Sequence, residues 1–138
     1  VFISIVVGYG TAVQATPVFG WLVEQVLSLD MNPYLLTFVA VNLLAGMTAN
    51  GTGGVTLFME NFGATILGNP AINVGALHRI AAISGAGFDS LPHNGAIAFQ
   101  LSVFKLSYKD GYFQQFMMSV LVNLLAGLLA VLMAVVLF

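Results

Sequence analysis

The sequence predicts an all-α integral membrane fold with discontinuous transmembrane helices and one re-entrant hairpin. Of the 138 residues, 59% are hydrophobic and 6% are charged, whereas a soluble domain has roughly 25% charged residues. Polar, glycine-rich segments also interrupt the apolar sequence at residues 8–17, 48–54 and 84–95. Irregular backbone is tolerated at membrane depth only where it is buried in protein or lines a wet cavity. These breaks therefore predict a fold organised around an internal polar region.

Composition also limits the class of protein. The three fixed cations, Arg79, Lys105 and Lys109, form no basic patch, so we predict no nucleic-acid partner. Cysteine is absent, which excludes disulfides and thiol chemistry within this sequence. The sequence starts and stops inside apolar runs, and we therefore expect a piece of a larger multi-pass protein in contact with the lipid bilayer.

The first element, residues 1–29, is predicted to be a broken helix followed by an amphipathic arm. An apolar run meets the segment GYGTAVQATP at residues 8–17. The arm after it carries Trp21, Glu24 and Gln25 among apolar residues, which is typical of a helix with two different faces.

The second element, residues 34–67, is predicted to be a re-entrant hairpin. Its apolar arms, 34–47 and 55–67, are shorter than the roughly 20 residues that cross a bilayer. The polar tip TANGTGG, residues 48–54, separates them, and Pro33 is well placed to start the first arm.

The third element, residues 76–104, is predicted to be a helix unwound in its middle. Helical patterns lie on both sides of SGAGFDSLPHNG, residues 84–95, and a polar loop, KLSYKDG, follows at 105–111. Residues 112–138 then form the spanning helix. Gln115, Ser119, Asn123 and Gly127 are spaced by four, and we expect this face to pack on protein while the other faces meet lipid.

The few charged residues suggest an orientation. Lys105 and Lys109 place their loop in the cytoplasm, so the hairpin would enter from outside. Glu60 faces either a water-filled path or another subunit. Positions at the membrane interface are predicted for Glu24, Asp30, His78 and Arg79.

Discontinuous helices near the midplane indicate a transporter binding site. Helices starting at about Val55 and Ala96 would direct their N-termini to the same depth, and their partial positive charges favour a carboxylate. We expect the glycines of the breaks to allow close backbone approach and positive φ. The predicted substrate-binding residues are Thr48, Asn50, Thr52, Gly53, Ser84, Ser90 and Asn94.

Asp89 and His93 are four residues apart across Pro92 and are the predicted proton-coupling pair. Placing an ionisable group inside a membrane costs free energy, so its presence there indicates a functional role. Histidine titrates near neutral pH, so His93 is the natural proton carrier, while Asp89 would pair with it or bind a cation. Alternatively, Asp89 caps a helix and His93 donates to backbone. His78 and His93 lack metal-ligand spacing, so no metal site is predicted.

Three segments resemble the C-terminal half of the gluconate permease (gluconate:proton symporter) family, within the ion-transporter superfamily. They are SGAGFDSLPHNGAI (84–97), KLSYKD (105–110) and LAGMTANGTGGVTLFMENFGATIL (44–67), and GYGTAVQATPVF (8–19) is similar to the family's preceding break. The resemblance implies two inverted repeats, of which this chain is the second. It also implies a homodimer with an elevator motion in the cytoplasmic membrane, which is the inner membrane of bacteria with two membranes and the plasma membrane of other cells.

The resulting prediction is a fragment of a secondary transporter for gluconate or a related organic anion, coupled to H⁺ and not an enzyme. No cofactor is predicted, and Na⁺ is an alternative coupling ion. The N-terminal repeat of the same transporter would complete the site. Two rival functions are a non-transporting structural subunit of a membrane complex and an intramembrane enzyme built on Asp89, Ser90 and His93.

Overall fold

A computed structural model describes residues 11–138, and every regular element in this range is helical, which confirms the predicted all-α fold. Residues 1–10, which include the predicted first helix and the start of the predicted break at 8–17, lie outside the described residues; within the rest of the break, residues 11–14 are helical and the next helix begins at Pro17. The elements are α1 (Pro17–Leu27), α2 (Pro33–Thr48), α3 (Gly51–Leu67), α4 (Val74–Gly85), a 3₁₀-helix (Phe88–Ser90), α5 (Gly95–Val103), α6 (Tyr108–Gln115), a π-helix (Phe116–Leu121) and α7 (Val122–Leu137).

Helices α2 and α3 form an antiparallel hairpin joined only by Ala49 and Asn50. Ala49 adopts the left-handed conformation, with φ of 50°, and Asn50 caps α3 by accepting a hydrogen bond from the Gly53 N–H at 3.2 Å. Because Asn50 supplies this cap, α3 begins at Gly51 and not near residue 55. The predicted seven-residue tip, 48–54, is therefore a two-residue connection.

The glycines at the tip permit close packing and not a left-handed backbone. No glycine among the described residues has a positive φ, so that expectation is wrong for residues 11–138. Gly54 instead lies against the facing arm, where a Cβ would be 2.5 Å from the backbone nitrogen of Ala45. The bare α-carbon lets the two arms approach each other.

Helix α2 lies at the centre of the core and contacts α3, α4 and α7. Val41, Leu44, Phe58 and Ile80 are almost completely buried, and the Phe58 ring stacks on that of Phe62 at a centroid distance of 5.4 Å. The arms α2 and α3 have 16 and 17 residues, or about 24–26 Å at 1.5 Å per residue, against a hydrocarbon thickness of about 30 Å.

The helix predicted over 76–104 is interrupted between α4 and α5, over residues 86–94. Asn73 caps α4 by accepting from the Ala76 N–H at 3.0 Å, and Asn94 caps α5 by accepting from the Ala96 N–H at 2.6 Å. Both asparagine caps satisfy first-turn amides that have no partner inside the helix.

Helices α6 and α7 and the π-helix between them form one continuous 30-residue helix, Tyr108–Leu137. Within residues 11–138, this helix alone is long and apolar enough to cross a membrane. It begins inside the predicted polar loop, four residues before the expected start. One face packs on the protein, where Gly127 contacts Phe38, while Leu132 and Val136 are 61% and 81% exposed.

Candidate functional site

The hairpin tip and the interrupted segment meet at Gly51 and Gly85. A Cβ on Gly51 would overlap the Gly85 carbonyl oxygen and would lie 3.1 Å from Asp89 Oδ2. A Cβ on Gly85 would likewise be only 3.2 Å from the Gly51 carbonyl oxygen. The start of α3 and the end of α4 thus touch through glycine backbone, and the fold brings together the two polar breaks, 48–54 and 84–95, that 29 residues separate in the sequence.

An open cavity of about 490 Å³, here called the tip cavity, lies at this junction. Its α3 wall carries the polar groups of Asn50, Thr52 and Thr56, and its α4 wall carries the methyl groups of Ala82 and Ala86. Among residues 11–138, the lining consists of Asn50, Gly51, Thr52, Val55, Thr56, Ala82, Gly85, Ala86 and Asp89.

Two features of opposite charge face the tip cavity. The N-terminus of α3 contributes partial positive charge, and its first two amides, on Gly51 and Thr52, have no acceptor within the helix. Asp89 contributes a carboxyl group, whose Oδ1 accepts a hydrogen bond from Ser90 Oγ at 2.9 Å. The cavity therefore combines a helix terminus whose partial charge favours an anion with a carboxyl group whose negative charge opposes one.

The predicted pair of opposing helix N-termini is not found. Among the helices that the structure describes, α3 alone directs its N-terminus into the tip cavity, and no residue of α5 lines it. Asn94 explains the difference: its side chain caps α5, and its Nδ2 donates to the carbonyl oxygens of Ala49, at 3.0 Å, and Asp89. The first turn of α5 is thereby directed to structural contacts.

The predicted substrate-binding residues fall into two groups. Asn50 and Thr52 line the tip cavity. Thr48 and Ser84 do not, because both are buried and donate to carbonyls one turn back, at 2.8 Å to Leu44 and 2.7 Å to Ile80. This back-bonding to the own helix is common for hydroxyl side chains. The other three predicted residues also make internal contacts: the Gly53 N–H to Asn50, the Ser90 hydroxyl to Asp89, and the Asn94 amide to backbone.

Asp89 and His93 lie on opposite sides of the interrupted segment. His93 Nε2 is 2.6 Å from the carbonyl oxygen of Gly46, and a carbonyl only accepts, so Nε2 carries the proton in this arrangement. Its ring borders a second, mainly apolar cavity of about 600 Å³, which Phe88 and Leu91 also line. The predicted Asp89–His93 pair is therefore not formed, and neither does Asp89 cap a helix; His93 matches the alternative role of backbone donor.

The long helix supplies three contacts to the interrupted segment, and of their donors the sequence had placed only Asn123 on the face that packs on protein. Tyr108 and Tyr112 donate to the carbonyls of Pro92 and Ser90, at 2.9 and 3.3 Å. Asn123 donates to the carbonyl of Ala86 at 3.0 Å. These donors satisfy backbone acceptors that the interruption leaves without helical partners. The spacing of four between the two tyrosines was the available signal.

Thr56 was also missed as a cavity residue. It is exposed and follows Thr52 by four residues, so both hydroxyls lie on one face of α3. The remaining charged candidates are not among the described residues that line the cavity. Glu24, Asp30, Glu60, His78 and Arg79 are all exposed.

The sequence is similar to a bacterial transport protein. This relative, the "Uncharacterized transporter YxjC" of Bacillus subtilis (strain 168), is 29% identical over 108 residues. The match covers 76% of this chain and 23% of the relative, so the chain spans about a quarter of the length of the protein it matches. No family model and no solved structure matches the chain. The similarity supports a transporter function in general terms, while the gluconate permease resemblance stays a prediction.

Proposed function

We propose that this chain is part of a multi-pass secondary transporter that carries a small organic anion across the cytoplasmic membrane together with a proton. The observation behind this proposal is the placement of the α3 N-terminus and the Asp89 carboxyl on one cavity. The similarity to a transporter and the single long apolar helix among residues 11–138 support the general class. The tip cavity would be this chain's share of the substrate site.

Proton coupling follows from the charges around the tip cavity. A substrate carboxylate at the α3 N-terminus would lie close to the carboxylate of Asp89. Two unit charges 4–5 Å apart repel by about 3–4 kcal/mol at an effective dielectric constant of about 20. Protonation of Asp89 removes this repulsion, so proton and anion favour each other's binding reciprocally. Their joint binding is the thermodynamic basis of symport.

The neutral groups of the tip cavity suit a hydroxylated acid, such as gluconate or a related compound. Asn50, Thr52 and Thr56 can exchange hydrogen bonds with substrate hydroxyls. The volume of about 490 Å³ lies within the range of about 300–1,000 Å³ for small-molecule sites. In this proposal the N-terminal repeat of the same transporter closes the open side, and the assembly is a homodimer with an elevator motion.

Uptake by the full-length protein in proteoliposomes tests the coupling. In Asp89→Asn, the neutral amide mimics the protonated acid, so we expect substrate exchange without a gradient to persist. Accumulation driven by a proton gradient should fall by about tenfold or more. Glu60→Gln is the matched control, because Glu60 is exposed and lies outside the cavity lining, and it should behave as wild type.

Three results would contradict the proposal. Unchanged gradient-driven accumulation in Asp89→Asn would remove the coupling role of Asp89. Accumulation that follows a Na⁺ gradient at constant pH would replace H⁺ by Na⁺. A full-length protein that is neither stabilised by any organic anion nor able to transport one would favour the structural-subunit alternative.

A further inference from the structure

We infer that Asn94 is a positioning residue that holds the hairpin tip against the interrupted segment and so fixes the spacing between the two walls of the tip cavity. The consequence for transport rests on the proposed function. The sequence had suggested direct substrate binding by Asn94, but its contacts are all internal.

The Asn94 side chain is almost completely buried and has no donor left for a ligand. It is 9% exposed. Its Nδ2 donates to the carbonyl oxygens of Ala49, at 3.0 Å, and Asp89, and its Oδ1 accepts from the Ala96 N–H at 2.6 Å. Both N–H donors and one acceptor position are therefore used within the protein.

Each partner of Asn94 belongs to a different part of the site. Ala49 is the left-handed residue of the hairpin connection and immediately precedes Asn50 on the α3 wall. Asp89 is the acid that faces the cavity, and Ala96 lies in the first turn of α5. One amide group therefore joins the tip, the acid and the following helix.

His93 strengthens the same junction from the neighbouring position. Its Nε2 contacts the carbonyl of Gly46, one turn before the tip. Two consecutive side chains of the interrupted segment thus bind two carbonyls near the C-terminal end of α2. Loss of the Asn94 contact is expected to loosen this junction without removing any group that lines the cavity.

Asn94→Asp in the full-length protein is the sharpest test, because it preserves shape and the acceptor for Ala96. It replaces the donor nitrogen by an oxygen that faces two carbonyls. We expect KM for the organic anion to rise by about tenfold or more at pH 7.5, with Vmax within about threefold of wild type. Protonation of the introduced carboxyl group restores one donor, so the ratio of variant to wild-type KM should fall as the pH is lowered.

Asn73→Asp is the matched control. Asn73 caps α4 through the same kind of Oδ1 contact, at 3.0 Å from the Ala76 nitrogen, and it lies outside the cavity lining. Its KM ratio to wild type should stay near one throughout the pH series. Asn94→Ser, which keeps a capping oxygen but is too short to reach Ala49, serves if Asn94→Asp does not fold and should raise KM in the same direction.

A second measurement does not depend on transport. Thr52→Cys places a thiol on the α3 wall, where these 138 residues contain no cysteine. With any cysteines elsewhere in the full-length protein replaced by serine, the rate of reaction with a membrane-impermeant maleimide reports exposure of the tip. Adding Asn94→Asp should raise this rate by about threefold or more. Faster labelling in a protein that carries no organic anion would leave the positioning role standing and refute the proposed function. Unchanged labelling together with unchanged KM in a folded variant would overturn the inference.

Discussion

At the scale of single residues, similar side chains have different tasks because their neighbours differ. Asp89 faces the tip cavity, whereas His93, four residues later, contacts the Gly46 carbonyl and borders the apolar cavity. Thr52 and Thr48 are also four residues apart, yet Thr52 lines the tip cavity and Thr48 is 2% exposed. The direction of each side chain relative to the tip decides which of them can meet a substrate.

His93 offers a prediction at this scale. In His93→Gln, an amide N–H can replace Nε2 as the donor to Gly46, so we expect most proton-driven uptake to remain. His93→Ala removes the donor and should reduce uptake by about fivefold or more. Proteoliposome uptake under a proton gradient distinguishes them. Equal loss in both variants would show that the imidazole itself carries the proton, as the sequence had suggested.

At the scale of elements, the hairpin is built by close approach of its arms. The connection between the arms, Ala49–Asn50, is only two residues long and keeps their ends close together. Gly54 has no side-chain carbon that would separate α3 from Ala45. The interruption between α4 and α5 is supported from outside, because Tyr108, Tyr112 and Asn123 supply donors to its carbonyls. Broken backbone in this fold is therefore stabilised by neighbouring helices.

Gly54→Ala tests the packing of the arms. The new Cβ would overlap the backbone of Ala45, which cannot move aside as a flexible side chain can. We therefore expect the free energy of unfolding to fall by about 2 kcal/mol or more. Gly53→Ala is the matched control in the same turn, because its Cβ would have neighbours no closer than 3.5 Å, an ordinary contact distance. Thermal unfolding of the purified protein compares the two, and equal melting temperatures would contradict the close-packing explanation.

The sequence predicted helices and the polar breaks because both depend on local composition. It placed the start of α3 near residue 55 because four glycine and threonine residues precede it, and composition alone does not reveal the capping contact from Asn50. It also could not separate Asn50 and Thr52 from Thr48 and Ser84, because hydroxyl groups that bond their own helix have the same composition as groups that face a cavity. Pairing of Asp89 with His93 failed because the segment between them is not a regular helix.

At the scale of the whole molecule, the long helix carries most of the surface suited to lipid. Leu125, Leu129, Leu132 and Val136 are between 55% and 81% exposed, whereas Gly127 is buried against Phe38. A contiguous apolar surface of this kind fits hydrocarbon. The chain covers 23% of its relative, and the proposal assigns the remaining wall of the substrate site to the rest of the transporter.

Leu125→Lys tests whether this surface meets the membrane. Leu125 is 55% exposed near the middle of the helix, where an inserted lysine costs about 2.5–3.5 kcal/mol. We expect less protein in the membrane fraction and a lower melting temperature. Gln114→Lys, at an exposed polar position near the start of the same helix, should have little effect. Equal yields of the two variants would indicate that Leu125 faces water or protein.

The interrupted segment also acts as a partition. Asp89 lines the polar tip cavity on one side, while Phe88, Leu91 and His93 line the apolar cavity on the other. One short segment of backbone therefore separates two different environments. A rearrangement of that segment therefore changes both cavities at once. Hydration of one side and packing on the other are linked by proximity, and no relay through the body of the protein is needed to connect them.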